Sequence, residues 1–411
     1  MTRTATTSDT RLGTNLGDAK LHNRRVVLET IRQRREISRA DIRRATQLSL
    51  QTVSNIVDEL LAAKMLNEVQ SVRKLQGKPP KMLSINADGA YSIGLHLDHG
   101  RLRGNVLDFE GKLRARAERT VDRPNPQTGL PLLAEITEKL IASANVSRQL
   151  VCGVGVVMPG PFATHSTLAH GPTVLPGWQG IDVETVLSEK FALPVYLEND
   201  ATAAALGESY FGVAREFSDV CCIFIGTGLG GGILINGQPF RGRYGNSGEI
   251  GHVPIYPSGR ACYCGGRGCA EQYLSVFSAF AQHFTQETDR SAERLDAIVA
   301  SGDPRIKAWL DEAAAALRLL IATLENILDT EAIILSGLVN KQVLRALFKT
   351  MDRPIVTVAH RNDGASRLLL GTAGPDVVAL GAAVYPFYNL FGSTDLAPHS
   401  AARGTSNVKT L

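Results

Sequence analysis

Twice along this chain an apolar run enters a short turn and returns as a second apolar run, with strands and helices alternating afterwards. The first passage is "YSIGLHLDHGRLRGNVLDFEGKLRARAERTV" and the second is "DVCCIFIGTGLGGGILING". The first reads as strand, turn, strand, turn, strand, an antiparallel opening. Alternating apolar residues favour pleated segments, and Gly and Asp favour the turns between them. "VCGVGVVMPGPF" and "LPVYLEND" follow as strands, with "ATAAALGESYFG" helical after the second. A long helical pattern over 304–328 then leads into "EAIILSGLVN", again strand and turn. An opening of this kind followed by alternating strands and helices, stated twice, implies two similar α/β halves with a cleft between them.

The residues ahead of these halves have a different charge. Residues 1–85 carry 16 Lys and Arg against 8 Asp and Glu, while residues 86–411 carry 28 against 32. A basic head on a mildly acidic body points to a polyanion as the partner of the head alone. Its pattern is helical over 22–33, with Val26, Val27, Thr30 and Ile31 at helical spacing. Ser38 with Asp41 makes a capping-box start for a short second helix carrying Ile42 and Ala45. Ser49 is a good cap for a third, with Val53, Ile56, Val57, Leu60 and Leu61 inward. Two short helices joined at 46–48, the second led by small polar residues, meet the needs of a helix-turn-helix. Its recognition helix must present hydrogen-bonding side chains to base edges from its first turns. Ser49, Gln51, Thr52, Ser54 and Asn55 are the candidates. Two strand-like pieces around Arg73, Lys74, Lys78, Pro79 and Pro80 read as a wing, with Lys78 placed for phosphate. A three-helix protein-interaction module remains the plainer alternative.

Bulk properties narrow the setting. At 411 residues, 44% apolar and 20% charged, the chain has room for two or three ordinary globular domains. No run of eighteen apolar residues occurs, and the N-terminus is polar without a signal-like apolar core. Six cysteines, three of them in one cluster, argue against a disulfide framework and for a reducing cytoplasm. The expected domains are a disordered lead-in over 1–20, a winged helix-turn-helix over 21–86, a two-lobed body over 90–392 and a flexible tail over 393–411.

"GHVPIYPSGRACYCGGRGCAE" brings His252, Cys262, Cys264 and Cys269 close together. Four soft or borderline donors suit a closed tetrahedral site, structural zinc above all, whereas a catalytic zinc keeps one position open. Uncoordinated residues in a Gly-rich loop are the alternative.

"LENDATAAALGE", "GTGLGGGI", "GEIGH" and "CYCGGRGCAE", in this order, resemble the ROK family of repressors, uncharacterised reading frames and sugar kinases. The winged helix-turn-helix ahead of them resembles its regulator branch. The resemblance implies an actin-like, hexokinase-type ATPase fold in two lobes. It also implies a sugar pocket at Asn199, Asp200, Glu249, His252 and Glu271, with Asp200 the general base in a kinase. Carboxylates suit sugars because charge-assisted hydrogen bonds to hydroxyls are strong and directional. Asp200 has a second available role, capping the helix that follows it.

A kinase of this type holds nucleotide phosphates between two backbone loops. Gly226, Thr227, Gly228, Gly230 and Gly231 form the second, a phosphate nest or equally a tight β-turn without ligand. Where related kinases carry Asp-x-Gly-Gly-Thr in the first, this chain has His96, Leu97, Asp98, His99 and Gly100. The magnesium-side carboxylate is gone and side chains replace glycines, which implies a vestigial phosphate site and no kinase activity. The expectation is a sugar-responsive repressor of carbohydrate uptake or metabolism genes. Its partners are a double-stranded DNA operator, a sugar or sugar-derivative effector and its own copies in a homodimer or homotetramer, and no membrane. An ATP-dependent sugar kinase with an appended DNA-binding domain is the alternative. So is a regulator whose pocket has lost its ligand.

Overall fold

The computed structural model describes residues 16–70, 81–160, 171, 173–351, 357–358 and 367–390. It divides into two compact units, a smaller one built on the head and a larger one holding Ser92–Leu107 and Leu113–Pro386.

The smaller unit begins with α1 (Leu16–Arg34), followed by β1 (Ile37–Ser38), α2 (Arg39–Thr46) and α3 (Leu50–Ala62). β2 (Leu66–Gln70) and β3 (Lys81–Ile85) complete a three-stranded sheet of order β1-β3-β2. Ser38 caps α2 reciprocally: its hydroxyl donates to Asp41 Oδ2 at 2.6 Å and accepts from the Asp41 amide at 3.2 Å. α2 ends at Gln47, whose left-handed backbone (φ 59°) turns the chain toward α3. Val27, Ile31, Ile42, Val53, Ile56, Val57 and Leu60 form the buried core. Arg24, also buried, reaches Glu59 across the helices at 3.0 Å. Burial would raise the Glu59 carboxyl, but hydrogen bonds from Lys20 and Arg24 outweigh it and hold its pKa below the usual range.

The structure departs from the sequence expectation in three places. α1 starts at Leu16, inside the expected lead-in, and Ala45 is exposed rather than part of the core stripe. The smaller unit also takes in Asp108–Lys112 and Phe387–Leu390, which the sequence assigns to the body. Arg25 stacks over the Tyr388 ring at 4.0 Å, and Phe109 meets Phe387 edge-on at 5.4 Å. The wing tip with Lys78 and the tail over 393–411 lie outside the described residues.

The larger unit repeats one sheet plan. β4 (Tyr91–Leu97), β5 (Arg101–Asp108) and β6 (Leu113–Thr120) are followed by α4 (Pro126–Ala144), β7 (Val151–Val157), α5 (Val183–Phe191) and β8 (Val195–Glu198). After α6 (Asp200–Phe211) come β9 (Val220–Ile225), β10 (Leu229–Ile235) and β11 (Gln238–Pro239). Then follow α7 (Glu271–Leu274), α8 (Val276–Gln282), α9 (Ala292–Ser301), α10 (Arg305–Leu328), β12 (Ala332–Gly337), α11 (Lys341–Thr350), β13 (Leu368–Leu370) and α12 (Val377–Leu390). The two five-stranded sheets have orders β6-β5-β4-β7-β8 and β11-β10-β9-β12-β13. In each, a meander supplies three strands and two further strands extend the sheet beyond the first of them. β8 is parallel to β7, and β12 is parallel to both β9 and β13. β4 and β9 are therefore equivalent central strands, and the turns that follow them are equivalent hairpin tips. α6 is buried from Ala201 to Glu208, a stretch in which five of eight residues are alanine or glycine, and it packs with β9, β12 and α12 in one apolar cluster.

Candidate functional site

The two hairpin tips meet at one cavity of about 320 Å³. Asp98 and His99 enter it from the β4–β5 tip, and residues 226–231 from the β9–β10 tip. Asn199, Asp200, Glu249, His252 and Glu271 line it as well, so all five residues assigned to the sugar pocket come together.

The start of α6 settles which of two adjacent residues caps the helix. Asn199 has the extended backbone of a cap, and its Oδ1 accepts from the Thr202 amide at 2.8 Å. Asp200 is thus the first helical residue, and capping is not its role. Its Oδ1 is buried without a hydrogen-bond partner, 3.8 Å from His96 Nε2, which is also unpartnered. Burial first, and the charge of Asp98 second, push the Asp200 carboxyl well above its ordinary pKa. Burial lowers His96 to about 4. Asp98 goes the other way: burial would raise it, but the 2.9 Å hydrogen bond with His99 Nδ1 helps bring it below the usual range. Two carboxyl groups in one cavity thus favour opposite protonation states, the arrangement that separates an acceptor from an acid.

On the opposite side, Glu271 is held by the glycine-rich tip. Its Oε2 accepts from the Leu229 amide at 3.0 Å, and a Cβ on Gly228 would stand 2.7 Å from that oxygen. Gly228 lets the tip close directly onto this carboxylate. The Gly226 and Thr227 carbonyls accept from the Val276 and Phe277 amides, so this tip also fastens the start of α8. Burial raises Glu271 and Glu249; Glu249 is exposed as a residue, yet neighbouring atoms crowd its carboxyl.

The cysteine loop leads directly into Glu271. Donor atoms of His252, Cys262, Cys264 and Cys269 all lie within 4.8 Å of one another and can hold a metal ion. Cys262 Sγ is 3.6 Å from His252 Nδ1, and Cys264 Sγ is 3.7 Å from Cys269 Sγ. Gln272 Nε2 donates to Cys262 Sγ at 3.5 Å, and the Gly266 amide to Cys264 Sγ at 3.4 Å, contacts that orient these sulfurs. Gly268 (φ 69°) makes the return possible, since a Cβ there would meet the Tyr256 carbonyl oxygen at 1.5 Å. Arg260 ties the loop to α10 through Glu312 at 2.7 Å.

The sequence reading missed Tyr263, Thr173 and Tyr244. Tyr263 packs edge-on against His252, and its hydroxyl lies 3.1 Å from Thr173 Oγ1. Its position inside Cys-Tyr-Cys was the available signal. Tyr244 lines the cavity from the 240–248 loop and is 83% exposed, and no local pattern in the sequence marks it.

In the smaller unit, Ser49 caps α3 by accepting from the Thr52 amide at 3.1 Å, and Gln51 Nε2 donates to Asn55 Oδ1 at 2.8 Å. Ser49, Gln51 and Asn55 are exposed, with Thr52 and Ser54 half-buried on the same turns.

Comparison with known proteins agrees with this architecture. The xylose repressor of Bacillus subtilis (strain 168) is 28% identical over 359 residues, 87% of this chain and 93% of that protein. A glucokinase of Streptomyces coelicolor is 33% identical over 213 residues, 52% of this chain and 64% of that protein. Among solved structures, a ROK-family transcriptional regulator homologous to the E. coli MLC protein superposes with a TM-score of 0.72 at 24% identity. The superposition covers 91% of this chain and 97% of that one. The family model described as ROK family matches residues 93–385, a span that takes in both sheets and the cavity at their hairpin tips. The chain belongs to the ROK family.

Proposed function

We propose that this chain is a sugar-responsive, DNA-binding transcriptional repressor of carbohydrate uptake or metabolism genes. One observation carries the reading: a winged helix-turn-helix precedes a cavity where Asn199, Asp200, Glu249, His252 and Glu271 converge. The likeness to a xylose repressor over nearly its whole length supports it, and makes a pentose or related aldose the first effector to try. In the head, Ser49, Gln51, Thr52, Ser54 and Asn55 are the proposed base-edge or backbone contacts, with Lys78 on phosphate. The repressor acts in the cytoplasm as a homodimer or homotetramer, so that two heads meet two operator half-sites. Sugar in the cavity changes their spacing.

The proposed resident metal is structural zinc. Zinc with thiolates at about 2.3 Å and imidazole at about 2.05 Å separates tetrahedral sulfurs by about 3.8 Å, and sulfur from nitrogen by about 3.6 Å. The 3.7 and 3.6 Å separations among these donors support that fit. A bound zinc would brace the loop that delivers His252 and Glu271 to the cavity, and take no part in chemistry.

The same reading speaks against phosphoryl transfer. The family resemblance puts His96 where a kinase carries its magnesium-side carboxylate and Asp98 and His99 where it carries phosphate-binding glycines, and both Asp98 and His99 line the cavity. An ionised Asp98 about 4 Å from a phosphate charge costs ~1–4 kcal/mol at effective dielectrics of 80 to 20. A kinase with an appended head is the second reading, favoured by the glucokinase likeness and the retained Asp200. The test is fluorescence anisotropy on DNA from upstream of the chain's own gene, with and without a panel of free sugars. Sequence-specific binding that a sugar alters is the expected result, and its absence with every sugar overturns the reading. Steady ADP release with ATP, magnesium and a hexose, abolished by Asp200→Asn, would establish the kinase instead.

A further inference from the structure

The glycine-poor tip does more than obstruct nucleotide. From Asp98 Oδ1 a hydrogen bond of 2.9 Å reaches His99 Nδ1, which lies 3.5 Å from Thr227 Oγ1 on the opposite tip. This chain of polar atoms spans the gap between the two hairpins, and both Asp98 and His99 line the cavity there. It closes one end of the space with an acidic side chain.

The charge around that end is one-sided. Four carboxyl side chains, Asp98, Asp200, Glu249 and Glu271, line the cavity, and no Lys or Arg does so among the described residues. The nearby 240–248 loop carries two arginines, neither of which lines the cavity: Arg241 pairs with Glu198, and Arg243 is exposed. A phosphate group placed here meets the Asp98 carboxylate and no Lys or Arg counter-charge to offset its lost hydration. A neutral sugar meets the same carboxyl groups as hydrogen-bond partners for its hydroxyls.

We infer that Asp98 and His99 are specificity determinants that confine this cavity to unphosphorylated sugars, so that the protein reads a free sugar and not its phosphate ester. This rests on the reading of the cavity as a sugar site. It assigns a role in effector selection to the hairpin that has lost its phosphate-binding sequence. It also places the effector before, not after, the step in which a kinase would phosphorylate it.

Titration calorimetry with matched pairs tests the inference. The pairs are D-xylose and D-xylose 5-phosphate, D-glucose and D-glucose 6-phosphate, and N-acetyl-D-glucosamine and its 6-phosphate. For the pair whose free member binds best, the phosphate should bind the wild-type chain at least about 100-fold more weakly. In the Asp98→Gly/His99→Gly variant that gap should fall below about 10-fold. Asp98→Asn keeps the side-chain volume and should narrow the gap in the same direction, which covers the case in which the double variant does not fold. A phosphate ester binding the wild-type chain as tightly as the free sugar overturns the inference while sustaining the sugar reading. A gap unchanged in both variants also overturns it. Binding of none of the six compounds removes the sugar reading and this inference with it.

Discussion

The β4–β5 and β9–β10 hairpin tips are equivalent in their two sheets, and their chemistry has diverged. At the second tip backbone approaches other groups: Gly228 closes onto Glu271, and the Gly226 and Thr227 carbonyls fasten α8. The first tip is anchored in the same way, its His99 and Gly100 carbonyls accepting from the Arg123 and Val121 amides. The difference lies in what each tip offers the cavity: the second a run of glycine backbone, the first the side chains of Asp98 and His99.

The largest effect that would sharpen this contrast comes from the metal loop behind the second tip. Structural zinc contributes ~10–16 kcal/mol of apparent binding energy in small metal domains. Cys264→Ser should remove about one zinc per chain, abolish measurable sugar binding and raise hydrogen exchange across 252–271. Exchange in β4 should stay unchanged. Intact sugar binding in the zinc-free variant would separate the loop from the pocket.

Asp200→Asn comes next. It should weaken sugar binding by about 2–10-fold, the value of a hydrogen bond between uncharged groups. The same substitution should stabilise the ligand-free protein. A carboxyl whose folded pKa is raised contributes stability below its unfolded pKa and loses it as pH rises through the folded value. At neutral pH the wild type therefore carries the cost of a buried acid, which asparagine removes. The gain in Tm should be larger at pH 8 than at pH 4. A loss of stability at both would mean that Asp200 serves the fold.

Restoring the first tip tests the comparison from the other side. His96→Asp with Asp98→Gly and His99→Gly should give measurable magnesium-ATP binding in calorimetry where the wild type gives none. If the wild type already binds nucleotide, the two tips have not diverged in function. The smallest effects lie in the head. Ser49→Ala should cost about 1 kcal/mol in urea unfolding as the α3 cap is lost. Gln51→Ala should leave stability unchanged and weaken operator binding.

Local signals made much of this legible in the sequence. Ser38 and Ser49 announce α2 and α3 because capping depends on residues three apart. The repeated strand–turn–strand passages announce the two sheets because β4 alternates apolar residues with Ser, Gly and His, and β9 is a short continuous apolar run ended by a Gly-rich turn. What was hidden depends on distant contacts. The first turn of α1 carries Gly17 and Asp18, both poor helix formers, so it reads as part of the lead-in. Asn199 and Asp200 are both able to cap, and only the backbone angles at Asn199 assign the role. The pairing of Arg25 with Tyr388 joins residues at opposite ends of the chain, with no pattern to announce it.

Linkage offers the most direct test of the central claim that one chain couples operator and free sugar. Operator affinity is measured with and without saturating sugar, and sugar affinity with and without operator, on the same preparation. The account predicts two equal factors of about 5–150-fold, because coupling between two sites on one equilibrium is reciprocal. Sugar and operator that each bind with the other's presence making no difference would contradict it.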